Sequence, residues 1–452
     1  DLRMSRGLGD VYKRQAIKGV KSMQQTNYID NLLSLIRKAT SQFHTVESVK
    51  DQLTKQGYEE LCWGNNWNLQ KGGKYMVIHH GSSIFAFTIG SHFQEKESFR
   101  IAAAHGDFPG FRIKPNPEVT TEKYVQLNVE SYGGVNLSSW LDRGLSAAGR
   151  VVLKSDDVFR PKVSLVDLEK TLFTIPNIAI HLEREMNKGV ELNKQTQMLP
   201  IVGILEEEVD KNCFLSALAE KLQVQVDEIL DYELNLYNAD RAEKIGLHEE
   251  FLSAPRLDNL TSVQALVDGI LEGERKEGLN VIAIFDHEEV GSRTKQGAGS
   301  MMLPYLLEKI YLSLGGSEQM YKNALAEGLL MSVDVSHGFH PSYGGKYDPT
   351  NKNMLNQGFC IKEACSQSYA TDSEAVGIVQ QICEKEQIPY QKFVNRSDVT
   401  GGGTLGSIAS AMLPVRTVDL GVPLLAMHSS RELMGAKDQE SLTRFIKAYF
   451  SL

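Results

Sequence analysis

Apolar residues recur at Tyr28, Ile29, Leu32, Leu33 and Ile36 with the i, i+3/i+4 spacing of one helix face. The same spacing returns at Leu442, Phe445, Ile446 and Tyr449. Both stretches predict surface helices packed on a larger core. Between them, short unbroken apolar runs at residues 100–104, 281–285, 329–333 and 423–427 predict strands buried on both faces. Residues 262–271 and 303–314 predict helices between such strands. Together they predict a layered α/β/α domain around a largely parallel sheet.

Residues from about 118 to 250 read differently. Val125, Leu127 and Val129 alternate with polar neighbours, Val163, Leu165 and Val166 form a second strand pattern, and a third lies near Tyr232 and Tyr237. A long polar stretch at 183–197 interrupts them. This predicts an inserted, mostly-β domain over 118–250, with the α/β domain split into 23–117 and 251–452. Residues 1–15 show no amphipathic period and resemble translated adapter sequence over Leu8–Gln15; residues 1–22 are set aside as a non-native or disordered leader.

Composition changes this picture little. A chain of 452 residues is long for a single core. Its 48 basic and 57 acidic side chains leave a net charge of −9, which argues against a general nucleic-acid binder. No apolar run approaches the length of about 20 residues that spans a bilayer. The five cysteines form no CxxC pair, which disfavours both a disulfide framework and a thiolate zinc ribbon, and makes a cytoplasmic location the default.

The chemistry gathers where strands end. The run at 100–104 leads into His105-Gly106-Asp107, that at 281–285 into Asp286-His287-Glu288-Glu289, that at 329–333 into Asp334, and that at 423–427 into His428. Asp258 precedes another predicted helix. In open α/β sheets ligands bind beyond the carboxyl ends of the strands. A lone buried histidine is more commonly a satisfied core residue, and a strand-end Asp a turn residue. Recurrence at four strand ends is what carries the metal reading. Nitrogen and carboxylate donors without thiolates suit zinc, manganese or cobalt.

Several strings resemble aspartyl aminopeptidases. They include His105-Gly106-Asp107-Phe108-Pro109-Gly110-Phe111-Arg112, Trp140-Leu141-Asp142-Arg143 and Pro255-Arg256-Leu257-Asp258-Asn259. Phe285-Asp286-His287-Glu288-Glu289-Val290-Gly291-Ser292, Asp334-Val335-Ser336-His337-Gly338-Phe339-His340-Pro341, Gly402-Gly403-Thr404-Leu405-Gly406 and Met427-His428-Ser429-Ser430-Arg431-Glu432 follow in the same order. The resemblance implies an exopeptidase that uses two zinc ions to remove N-terminal residues from peptides, Asp or Glu by preference. It implies that His105 and Asp334 hold one ion, that Glu289 and His428 hold the other, and that Asp258 bridges them. Glu288 is then the general base acting on a bridging water, and Asp107 orients His105. It further implies tetrahedral dodecamers built from dimers, in which the inserted domain makes the dimer contact and His181 reaches the neighbour's active site. Lys362 and His340 are the implied substrate contacts, with His337 nearby. Gly106 and Phe108 depart from the usual pattern of the first motif, at positions that supply no ligand.

Three other readings compete with this one. A related dinuclear aminopeptidase of neutral specificity and a deacylase would use the same ligands. A catalytically silent assembly or cargo protein would have lost a ligand or the base, and none is lost.

Overall fold

The computed structural model describes residues 27–94, 98–204 and 213–452; the leader assigned to residues 1–22 lies outside them. Among the described residues the strands form sheets of nine, six and five.

The nine-stranded sheet carries the predicted strands. Its four central strands, Leu279–Phe285, Phe99–His105, Leu329–Val333 and Arg416–Gly421, run parallel in that spatial order. Antiparallel pairs enter at both flanks, so the sheet is mixed rather than uniformly parallel. Ala102, Ala104, Ile282 and Ile284 pack into a core shared with helices Tyr28–Lys38, Leu257–Glu272 and Ala436–Tyr449. Ile101, Ala103, Val281 and Phe285 alternate with them into a second core under helix Met302–Ser313. Two buried faces explain why these strands read as unbroken apolar runs.

Local chemistry fixes the helix starts. Ser41 Oγ accepts the His44 N–H at the start of Gln42–Lys55, and Asp372 Oδ1 accepts the Ala375 N–H at the start of Ser373–Glu386.

One strand differs from expectation. The run at 423–427 forms a strand only over Pro423–Leu425, and it belongs to the small five-stranded sheet. The partner of Leu329–Val333 in the large sheet is Arg416–Gly421, whose buried Thr417 and Asp419 break its apolar pattern. The chain turns away at Gly421, where an added Cβ would meet the Asp334 carbonyl oxygen at 1.8 Å.

The six-stranded sheet is antiparallel throughout and orders as Lys162–Asp167, Leu145–Leu153, Ile229–Asn238, Gly110–Thr121, Tyr124–Tyr132 and Ile201–Ile204. Its core is its own, built on Phe111, Leu127, Val151, Leu234 and Phe214 of helix Cys213–Leu222. The first strand begins at Gly110, ahead of the alternation that starts in the sequence after residue 118. Pro115 and Pro117 and a register shift between Ile113 and Glu118 hide its early part. Among the described residues no helix is long and apolar enough to cross a membrane.

Candidate active site

His105 is the last residue of Phe99–His105, in register with Phe285 of the adjacent strand. That strand continues through Asp286 and His287 into a single 3-10 turn, Glu288–Val290. On the other side Leu329–Val333 delivers Asp334. Asp258 begins the buried helix Leu257–Glu272. His428 lies in the turn between Pro423–Leu425 and Glu432–Gly435 of the small sheet. Four non-glycine residues in these turns, Arg256, His287, Ala426 and His428, have φ of 59–65°. Left-handed backbone at residues with a side chain costs energy, and it gathers at functional sites.

The side chains converge. His105 Nε2 lies 3.5 Å from Asp258 Oδ1 and 3.4 Å from Asp334 Oδ1. His428 Nε2 lies 3.3 Å from Asp258 Oδ2 and 3.5 Å from Glu289 Oε2. Asp258 thus turns one oxygen to each imidazole. Three candidate ligand groups result among the described residues, each with its donor atoms within 4.8 Å of one another: His105–Asp258–Asp334 and Asp258–Glu289–His428, which share Asp258, and His105–Glu288–Glu289, which lacks it. Glu288 Oε2 lies 3.9 Å from His105 Nε2.

Buried carboxylates hold these turns from behind. Asp107 meets His105 chiefly through its main-chain oxygen, which accepts the Nδ1–H at 3.0 Å; its Oδ1 is farther, at 3.4 Å. The Asp107 carboxylate instead accepts the main-chain N–H groups of Glu288 and Glu289, both at 3.2 Å, and the Tyr132 hydroxyl at 2.7 Å. Glu432 does the same on the other side, accepting the N–H of Asp258 and of His428, both at 3.0 Å. Asn259 donates to the Val333 carbonyl at 3.0 Å, tying the helix start to the Asp334 strand. Sequence reasoning gave no role to Glu432, Tyr132 or Asn259. Glu432 and Asn259 each end a motif that carries the family resemblance, so their places in the chain were visible but their use was not.

The electrostatics call for positive charge. Among the described residues no lysine or arginine pairs with Asp258, Glu288, Glu289 or Asp334. Burial pushes the Glu288 carboxyl up to about 8, with Asp334, Asp107 and Asp258 adding to the effect against His105. Burial likewise drives Glu289 well above its ordinary range, with Asp258 adding to it. Burial disfavours a charged His428, yet the Asp258 carboxylate raises it to about 9. Burial opposes a charged His105 too, and Asp107, Asp258 and Asp334 overcome it. Imidazolium here takes the place of a cation. Among the described residues Asp258 Oδ1 and Glu289 Oε1 are buried without a hydrogen-bond partner. Such atoms are costly unless something binds them. The residues therefore fit divalent ions with a preference for nitrogen and oxygen donors, as zinc has.

Of the other candidate residues, His181 and His340 lie apart from the cluster, while Lys362 and His337 feel the charges of Asp334 and Asp258. His181 is exposed in a loop of the six-stranded unit, between Ile180 and Leu182. His340 accepts the Ser342 N–H at 3.1 Å and lies 4.7 Å, ring to ring, from Tyr343. Neither bonds to the cluster among the described residues. Lys362 is 1% exposed; its Nζ donates to the Val335 carbonyl at 3.1 Å and lies over the Tyr369 ring. Burial works against its charge, and Asp334, Tyr369 and Asp419 raise its pKa nonetheless. His337 packs against Phe393 at 5.9 Å.

Comparison with known proteins gives this geometry a family. The profile of the family described as Aminopeptidase I zinc metalloprotease (M18) matches residues 35–450. A probable M18 family aminopeptidase 2 of Clostridium novyi is 44% identical over 94% of this chain and 99% of its own length. Aspartyl aminopeptidase 4 of Saccharomyces cerevisiae is 35% identical over 94% of this chain and 95% of its own. Among solved structures, a chain of the Ape4 and Nbr1 complex superposes with a TM-score of 0.90 at 33% identity, covering 94% of this chain and 85% of that one. The mApe1 dodecamer of Saccharomyces cerevisiae superposes with a TM-score of 0.81 at 24% identity, covering 93% and 95%, and shares the fold. With the profile spanning nearly the whole described chain and these relatives aligned end to end, the chain belongs to the M18 family of zinc aminopeptidases and is a metallo-aminopeptidase.

Proposed function

We propose that this enzyme removes N-terminal Asp or Glu from peptides, with Glu288 as general base beside two divalent ions. The observation that carries the two-ion reading is Asp258, whose two oxygens face one imidazole each. His105 and Asp334 would hold one ion, Glu289 and His428 the other, with Asp258 shared. Zinc is the family metal, and the donor set also accepts cobalt or manganese. When bound, such a pair polarises the scissile carbonyl and acidifies the attacking water.

The chain's own residues do the rest. Glu288 is free of both ligand groups that share Asp258, so its carboxylate is available to take the water's proton and pass it to the leaving amine. Asp107 fixes the direction of that carboxylate through the main-chain N–H of Glu288. Glu432 aligns the turns of Asp258 and His428. Accordingly Glu432→Gln, which leaves one of the two N–H groups facing an amide donor, weakens zinc binding by about 10–100-fold. Competition with a chromophoric chelator measures this, and parental affinity would remove Glu432 from the site.

Acidic preference is supported by the aspartyl aminopeptidase among the relatives and by the Lys362 ammonium behind Asp334. His340 is the second proposed substrate contact. Assembly into dimers and then a dodecamer, through the inserted 118–250 domain, is supported by large apolar side chains exposed on it. Phe159 is 94% exposed, Val158 87% and Leu182 78%. The mApe1 dodecamer shares the fold. In such a dimer His181, beside Leu182, would enter the neighbour's site. A cytoplasmic location accords with the thiol content, and the proposed partners are peptide substrates and further copies of the chain.

The test is a panel of aminoacyl peptides assayed with defined metals on protein sized by light scattering. Aspartyl and glutamyl substrates are turned over at least about tenfold faster than leucyl ones. A leucyl preference would make the enzyme a neutral aminopeptidase, and cleavage only of N-acyl substrates a deacylase. Fewer than one zinc per chain without peptidase activity would revive the silent assembly protein.

A further inference from the structure

The ligand turns belong to the nine- and five-stranded sheets, yet their alignment is completed from the third. Tyr132 ends a strand of the six-stranded sheet, and the chain then crosses the site through Gly133 and Gly134. The Tyr132 hydroxyl donates to Asp107 Oδ2, the oxygen that also accepts the Glu289 N–H. The Gly134 carbonyl accepts the Nδ1–H of His428 at 3.0 Å. Two residues on, the Asn136 N–H donates to the His428 carbonyl at 3.1 Å. The Ser139 carbonyl accepts the Ser430 hydroxyl at 2.5 Å, and Ser139 Oγ accepts the Ser430 N–H at 2.9 Å.

The two imidazoles are therefore oriented in different ways. His105 takes its Nδ1 acceptor from its own turn, two residues on. His428 takes its Nδ1 acceptor from another sheet, while its Nε2 faces the Asp258 and Glu289 carboxylates. An acceptor on one ring nitrogen sets which tautomer offers the other nitrogen to a metal. The crossing is also tight. A Cβ on Gly133 would lie 3.1 Å from Glu289 Cβ, and one on Gly134 would lie 3.1 Å from His428 Nδ1.

We infer that residues 132–134 position the Glu289–His428 half of the site, and that the six-stranded unit thereby controls binding of the ion held there. The inference rests on the two-ion reading above. Tyr132 and Gly134 are positioning residues; neither needs to touch substrate.

Gly134→Ala is the direct test, because Gly134 has an ordinary φ, whereas Gly133, at +72°, would be strained by any side chain. Zinc affinities are measured by chelator competition, the ligand field by cobalt absorption, and the fold by melting of the metal-free protein. In the variant one ion weakens by about 10–100-fold, the same ion that His428→Ala loses. The cobalt spectrum of that site changes, and the metal-free melting curve stays that of the parent. Parental affinity for both ions with a parental cobalt spectrum overturns the inference. If Gly134→Ala does not fold, Tyr132→Phe, which removes a single hydroxyl, is read by the same criteria. Failure of the two-ion reading shows separately: the unaltered protein would then bind fewer than two ions, and this inference would fall with it.

Discussion

Glu288→Gln leaves metal binding intact and lowers kcat by about 10²–10⁴-fold, the usual worth of a positioned general base. The amide keeps the size of the side chain and cannot take up a proton. The turn itself stays in place, because Asp107 holds it through the main-chain N–H groups of Glu288 and Glu289 rather than through their side chains. The loss therefore falls on turnover and spares zinc content. Steady-state kinetics on aspartyl and leucyl peptides, with zinc counted in the same samples, provides the check. Parental turnover with metal bound would mean that Glu288 is not the base.

Asp258→Asn has the opposite signature and removes metal first. Among the described residues Asp258 is common to the His105–Asp258–Asp334 and Asp258–Glu289–His428 ligand groups. An amide offers one oxygen and no charge, so at most one half of the site keeps this donor and neither keeps its negative charge. For the parent, zinc at about a thousand times its dissociation constant raises stability by about 4 kcal/mol. The variant gains almost nothing at the same zinc concentration. Thermal melting with and without zinc measures the difference, and an equal shift in both proteins would refute the shared-ligand role. Activity also disappears, but only because the site no longer fills.

Much of this arrangement is legible in the chain. The strands at 99–105, 279–285 and 329–333 are buried on both faces, so their apolar runs stand out, and each stops at a residue of the site. The strand Arg416–Gly421 was invisible to the same reading. Its Asp419 is buried but polar, satisfied by the Thr404 hydroxyl and the Ala370 N–H, partners that no local pattern discloses. The anchoring residues were hidden for a related reason. Gly134 and His428 are separated by 294 positions, and a main-chain carbonyl leaves no signature in a sequence. Phe108, singled out as a departure from the family pattern, turns out to pack against the Arg256 guanidinium two residues before Asp258. His181 was legible by resemblance alone, since the partner it is proposed to meet is another copy of the chain.

The two imidazoles that share Asp258 come from opposite ends of the described chain, some three hundred residues apart. A hydrolytic centre divided in this way cannot exist in a growing or half-collapsed polypeptide. His105 ends a strand of the large sheet and Asp334 follows another, whereas His428 lies in a turn of the small sheet whose N–H is held by Glu432. Peptide cleavage therefore depends on both halves of the chain: a copy cut or stopped between residues 334 and 428 would keep His105, Asp258 and Asp334 and lack the second imidazole.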